Sequence, residues 1–152
     1  MDLRDRVNHA LKQAMKDKDQ SRLATLRLVN AAIKDQEIAQ RGSEDAAPLG
    51  DSDILAILAK MTKQRNESVR AYEEGGRLDL AERERAEIAV IEDFLPRQLD
   101  DAEVAAAIDR AIADVGASSI RDMGKIMARL RDRHAGQMDF GAVGGQVKAR
   151  LG

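Results

Sequence analysis

Cysteine is absent from the 152 residues, which excludes disulfides, iron–sulfur clusters, thiolate zinc sites and every cysteine nucleophile. Aromatic residues are scarce: two Phe, one Tyr and no Trp, 2% of the chain, so Leu, Ile, Val, Met and Ala must build any core. Only two histidines occur, His9 and His134, and neither has a second ligand three or four residues beyond it, so no metal site is expected. No stretch approaches the roughly 18 apolar residues of a membrane helix, and no membrane partner is expected. Charged residues in Met1-Asp2-Leu3-Arg4-Asp5-Arg6 stand where a signal peptide needs an apolar segment, and a cytoplasmic protein is expected. An excess of one charge is missing too. With 34% charged residues and a net charge of −2, the charges nearly cancel and belong on solvated faces.

What is present is helical spacing. Leu3, Val7, Leu11, Ala14 and Met15 predict a first helix from Asp2 to about Lys16, and Leu23, Leu26, Val29, Asn30 and Ile33 a second from about Ser21 to Ala39. Arg41 to Gly50, with two glycines and a proline, reads as an exposed loop. Asp51 or Ser52 can cap a third helix carrying Ile54, Leu55, Leu58, Met61 and Val69 to about Tyr72, which Gly75-Gly76 stops. A fourth, from about Leu78 to Phe94, would turn Leu78, Ala81, Ala86, Ile88 and Ile91 inward and Glu82, Arg83, Glu84, Arg85 and Glu87 to solvent.

Pro96 cannot donate a backbone hydrogen bond and drives Leu95 from helical geometry. Asp100 and Glu103 then have capping-box spacing before Val104, Ile108, Ala111, Ile112 and Val115, with Gly116 suited to a left-handed cap. Ser118 and Ser119 precede a helix bearing Met123, Ile126, Met127 and Leu130, and Asp139 can cap a last one with Phe140, Val143, Val147 and Leu151. No period-2 run occurs. The expectation is an all-α protein with a larger N-terminal helical domain, residues 1–95, and a small C-terminal helical domain, residues 96–152.

Candidate chemistry is sparse. Gly124-Lys125 resembles the end of a phosphate-binding loop, but Ser119 stands where that motif needs glycine and Ile126 where it needs Ser or Thr. Gly124, Gly141, Gly144 and Gly145 are expected to allow close helix packing or a kink. Ser118-Ser119 could suggest an amidase nucleophile, but a helix cap is the plainer reading. Acid pairs such as Glu44 with Asp45 and Asp100 with Asp101 read as surface charge. No catalytic residue and no cofactor is expected.

The informative pattern is Arg121, Lys125, Arg129 and Arg133, four residues apart, with Arg131 on another face. On an ideal helix this is a basic stripe drifting about 40° per step beside the Met123, Ile126, Met127 and Leu130 face. From Arg121 to Arg133 there are five basic and two acidic residues. The stripe could bind phosphates, with affinity falling as salt rises; equally, its arginines could pair with acids of the first domain. Lys60, Lys63, Arg65 and Arg70 form a second, less aligned patch. Neither patch has interleaved aromatics, so backbone and shape recognition would outweigh base stacking.

Several segments together resemble the GatB/YqeY family: Leu11-Lys12-Gln13-Ala14-Met15-Lys16-Asp17-Lys18-Asp19 with Leu26-Arg27-Leu28-Val29, Lys63-Gln64-Arg65 with Tyr72, Arg77-Leu78-Asp79-Leu80, Phe94-Leu95-Pro96-Arg97-Gln98-Leu99, and Gly116-Ala117-Ser118-Ser119 through Asp122-Met123-Gly124-Lys125. The resemblance spans nearly the whole chain, with stand-alone YqeY-like proteins the nearest match. It implies an all-helical protein in two domains and kinship with the tail of the B subunit of the tRNA-dependent amidotransferase. In that enzyme the tail helps hold tRNA, another domain performs transamidation, and a separate subunit releases ammonia from glutamine. The resemblance thus implies association with carbon–nitrogen ligase activity using glutamine as amido donor, but only the tail-like part is here, so binding is carried over and catalysis is not. The partners it implies are tRNA or other structured RNA; the alternative is an adaptor docking through amphipathic helices on amidotransferase subunits or another protein.

Overall fold

The computed structural model describes residues 2–41 and 49–152, all of whose regular structure is helical. Seven α-helices follow in order: α1 (Leu3–Lys16), α2 (Gln20–Gln40), α3 (Asp51–Glu74), α4 (Leu78–Glu92), α5 (Asp101–Val115), α6 (Met123–His134) and α7 (Phe140–Leu151), with a 3₁₀ turn at Ile120–Asp122 before α6. Most of the loop expected at Arg41–Gly50 lies outside the described residues, including Glu44 and Asp45. The chain divides into two compact units, Met1–Leu95 and Pro96–Gly152.

In the first unit, Leu3 and Val7 of α1, Leu26, Val29 and Ile33 of α2, Ile54 and Leu58 of α3, and Ile91 and Phe94 close one apolar core. The outer halves of α3 and α4 form a hairpin with a small cluster of their own, Val69, Ala81 and Ile88, against Tyr72. The hairpin turns at Gly75-Gly76: Gly76 takes φ +74, while Gly76 N–H donates to Glu73 O at 3.1 Å and Arg77 N–H to Tyr72 O at 2.7 Å. This pairing satisfies the last carbonyls of α3. Asp51 does not cap its own helix; its carboxylate accepts from Leu3 N–H at 3.0 Å, fixing the start of α1. Gly50 is the N-cap of α3, and its N–H donates to Asp53.

Three side chains expected inside are exposed: Met15, Leu78 and Ala86. Met15 has drifted past the buried side of α1 that Leu3, Val7 and Ala14 define. Leu78 is the first residue of α4, beside the turn where α3 has already ended. Ala86 lies about 140° from Ala81, which is buried.

In the second unit α6 packs against both α5 and α7. Val104, Ile108 and Ala111 of α5, Ile126, Met127 and Leu130 of α6, and Val143 and Val147 of α7 meet in its core. The α5 start is tightly built: Asp100 accepts from Glu103 N–H at 2.8 Å, Glu103 accepts from Asp100 N–H at 3.2 Å, and Arg97 grips the Glu103 carboxylate at 2.8 and 2.7 Å. Gly116 ends α5 at φ +68. Upstream, residues 97–99 are laced to the α6–α7 turn. Leu99 N–H donates to Gln137 O at 2.9 Å, the Gln98 amide to Gly136 O, and the Gln137 amide to Arg97 O at 3.1 Å.

Candidate nucleic-acid interface

The approach to α6 is made by short polar bonds. Ser118 N–H donates to Asp122 Oδ2 at 3.1 Å and Arg121 N–H to Ser119 Oγ at 3.3 Å. Ser119 therefore caps the 3₁₀ turn, and Asp122 closes the loop onto it. Arg121 consequently sits on that turn, ahead of α6, while Lys125, Arg129 and Arg133 occupy the helix proper.

All four are exposed. The 40° drift decides their surroundings. Measured from the middle of the Ile126–Met127–Leu130 face, Lys125 lies about 150° away, Arg129 about 110° and Arg133 about 70°. The stripe therefore begins on the outer side of α6 and ends on its α5 flank. There Arg133 Nη1 meets Asp114 Oδ2 of α5 at 2.7 Å. Arg110 Nε approaches the same oxygen at 4.0 Å. The hydrogen bond from Arg133 holds the Asp114 carboxyl below the usual carboxylate range, helped by the charges of Arg133, Arg110 and Arg129. By contrast, the side chains of Arg121, Lys125 and Arg129 make no ion pair within 4.0 Å with a described residue. Asp132, three residues after Arg129 and exposed, is the acid that shares their outer face.

Arg131 stands on another face of α6, as expected. It lies over the Phe140 ring of α7 at 5.7 Å. Of the second patch, Lys60, Lys63 and Arg70 are exposed, but Arg65 is largely buried and donates to Glu87 of α4 at 3.1 Å, so that patch is broken. His9 is exposed on α1, whereas His134 is half-buried with Nδ1 3.1 Å from Gln137 Oε1.

The glycines do not serve close packing as expected. A Cβ on Gly124 or Gly145 would meet nothing within 4 Å, and one on Gly144 only the Met123 methyl at 3.6 Å. Gly141 lies close only to its own capping residue, Asp139, at 3.3 Å. Sequence reasoning also missed Arg110 and Asp114. Their i, i+4 spacing was visible, but nothing in one helix reveals that α6 delivers Arg133 to the same carboxylate.

A family model described as Yqey-like protein matches residues 4–151. Among curated proteins, Altered inheritance of mitochondria protein 41, mitochondrial, of Lachancea thermotolerans is 28% identical over 143 residues, covering 93% of this chain and 74% of that protein. The proteins of the same name in Eremothecium gossypii and Candida glabrata are 34% and 33% identical over 85 residues, covering 56% of this chain and 44% and 45% of theirs. The chain spans less than half the length of these last two. The relatives are mitochondrial by name, which overturns the cytoplasmic expectation. That expectation rested on charge near Met1, and charge in a helical segment does not specify a compartment. No helix among the described residues is long and apolar enough to cross a membrane.

Proposed function

The chain belongs to the Yqey-like protein family, and on that premise we propose that it is a tRNA-associated binding module, not catalytic by itself, whose basic stripe contacts phosphates of structured RNA. The carrying observation is that Arg121, Lys125 and Arg129 are exposed together, without an ion-pair partner at 4.0 Å among the described residues. Solvated cations set on α6 and on the turn before it favour phosphate oxygens by charge and by release of counterions. Arg133 is the fourth member, committed in part to Asp114. Resemblance to the amidotransferase tail supports tRNA as the RNA and links the module to carbon–nitrogen ligase activity with glutamine as amido donor, performed elsewhere.

The test is a salt titration of binding to unfractionated tRNA. Arg121→Ala and Lys125→Ala should each weaken binding and reduce the slope of log K against log salt by ~0.7 to 0.9 per lost phosphate contact. Unchanged affinity and slope in both variants sinks the reading.

A second reading, an adaptor for amidotransferase subunits or another protein, is favoured by Leu28 and Ile38, exposed on α2 at 47% and 62%. Nuclease-treated sedimentation with purified amidotransferase separates the two, because only the adaptor retains its partner without RNA.

A further inference from the structure

Two ion pairs elsewhere in the second unit join one base to one acid: Arg97 with Glu103 at 2.7 Å and Arg150 with Asp109 at 2.9 Å. The seam between α5 and α6 does not balance. Arg133 and Arg110 both approach Oδ2 of Asp114, and Arg129 lies close enough to contribute to the carboxylate's field. Two guanidinium groups thus converge on one carboxylate oxygen, and the charge of Arg129 adds to its field. Arg110 holds its place loosely, with 77% of its side chain exposed and a 4.0 Å separation that is no hydrogen bond. The pair at 2.7 Å is itself accessible, the Arg133 and Asp114 side chains being 32% and 35% exposed. Water competes for such a pair, and its net worth is small. A phosphodiester oxygen entering this seam would find two arginine donors, Arg133 and Arg110, and one acid holding the place a phosphate would take.

We infer that the RNA-binding surface crosses from α6 onto α5, that Arg110 is a further phosphate contact, and that Asp114 restrains affinity by competing with phosphate for Arg133. This rests on the RNA reading above and adds to it a residue on another helix and a brake. Asp114 is the internal anion: while it holds Arg133, the stripe presents three uncommitted cations, and when RNA displaces it, four or five.

The experiment uses the full chain and unfractionated tRNA, with thermal melts of every variant to confirm folding. Arg110→Ala should weaken binding and lower the salt slope by ~0.7 to 0.9. Asp114→Asn should tighten binding several-fold and steepen the slope, and the gain should shrink when Arg133→Ala is combined with it. Asp101→Asn, which removes the same charge at the other end of α5, controls for net charge. The inference is overturned if Asp114→Asn binds no tighter than Asp101→Asn, or if Arg110→Ala binds like the parent. Should Arg121→Ala and Lys125→Ala weaken binding while the Arg110 and Asp114 variants do not differ from their controls, the stripe stands and the α5 extension falls. If the parent shows no salt-dependent RNA binding but binds phosphatidylserine vesicles through Arg110, both readings fall.

Discussion

Glu84 is a carboxylate in the wrong place for a charge. Partial burial, then the charge of Glu87, push it above the usual carboxylate range, against the opposing charge of Arg65, which is itself paired with Glu87. A carboxyl whose folded pKa is raised weakens the fold where it is ionised, and that cost vanishes as pH falls and it protonates in both states. Glu84→Gln is therefore expected to raise the urea midpoint at pH 7, by less than about 1 kcal/mol of stability, with the difference closing towards about pH 4. A lower midpoint at pH 7 would contradict this placement. The sequence put Glu84 among solvated charges because alternation of Glu and Arg over 82–87 looks like an outward face. Spacing does place Ala81, Ile88 and Ile91 on the inward side of α4, but it does not show that Arg65 of α3 meets Glu87, which brings Glu84 and Glu87 to the flank of α4 beside α3.

Helix ends were more legible than helix faces. Asp100, Glu103 and Gly116 bound α5 as their residue types suggested, because caps are local chemistry acting over three or four positions. The α5 cap carries a pH signature. The hydrogen bond from Arg97, and then that from Asp100 N–H, lower Glu103 from 4.5 to about 2. A depressed acid stabilises the fold above its unfolded pKa, so this contribution is present at neutral pH and is lost as pH falls from about 4.5 towards 2. Glu103→Gln should flatten the acid limb of a stability–pH curve in that window, and an unaltered limb would count against the cap. The glycines separate in the same way. Gly116 needs its left-handed backbone, so Gly116→Ala should destabilise by about 1–2 kcal/mol. Gly145, helical with open space at its Cβ, should instead gain about 0.5–1 kcal/mol as alanine. Chemical denaturation of both variants measures the opposite signs. The expectation of close packing failed at Gly124 and Gly145 because glycine in a helix marks permission for an approach, and only tertiary structure says whether anything approaches.

At the scale of the whole molecule, the all-helical architecture, larger in its N-terminal region and smaller in its C-terminal region, followed from spacing because apolar residues recur at helical period throughout and a core built mainly from Leu, Ile, Val, Met and Ala is filled by helix-on-helix packing. Surface charge was less legible. The stripe's residues could be named from four-residue spacing, but Arg133's bond to Asp114 and Arg131's placement over Phe140 depend on which helix flanks each side of α6. Arg65 shows the same limit, a cation in sequence and a partner of Glu87 in the fold. The functional account comes down to three uncommitted cations on and just before one helix. Its most direct test is the salt dependence of binding to unfractionated tRNA for the parent and for the Arg121→Ala/Lys125→Ala/Arg129→Ala variant, with folding checked by circular dichroism. The account predicts that the folded variant loses roughly two to three units of slope and most of its affinity at low salt. A variant whose slope and affinity match the parent would contradict it.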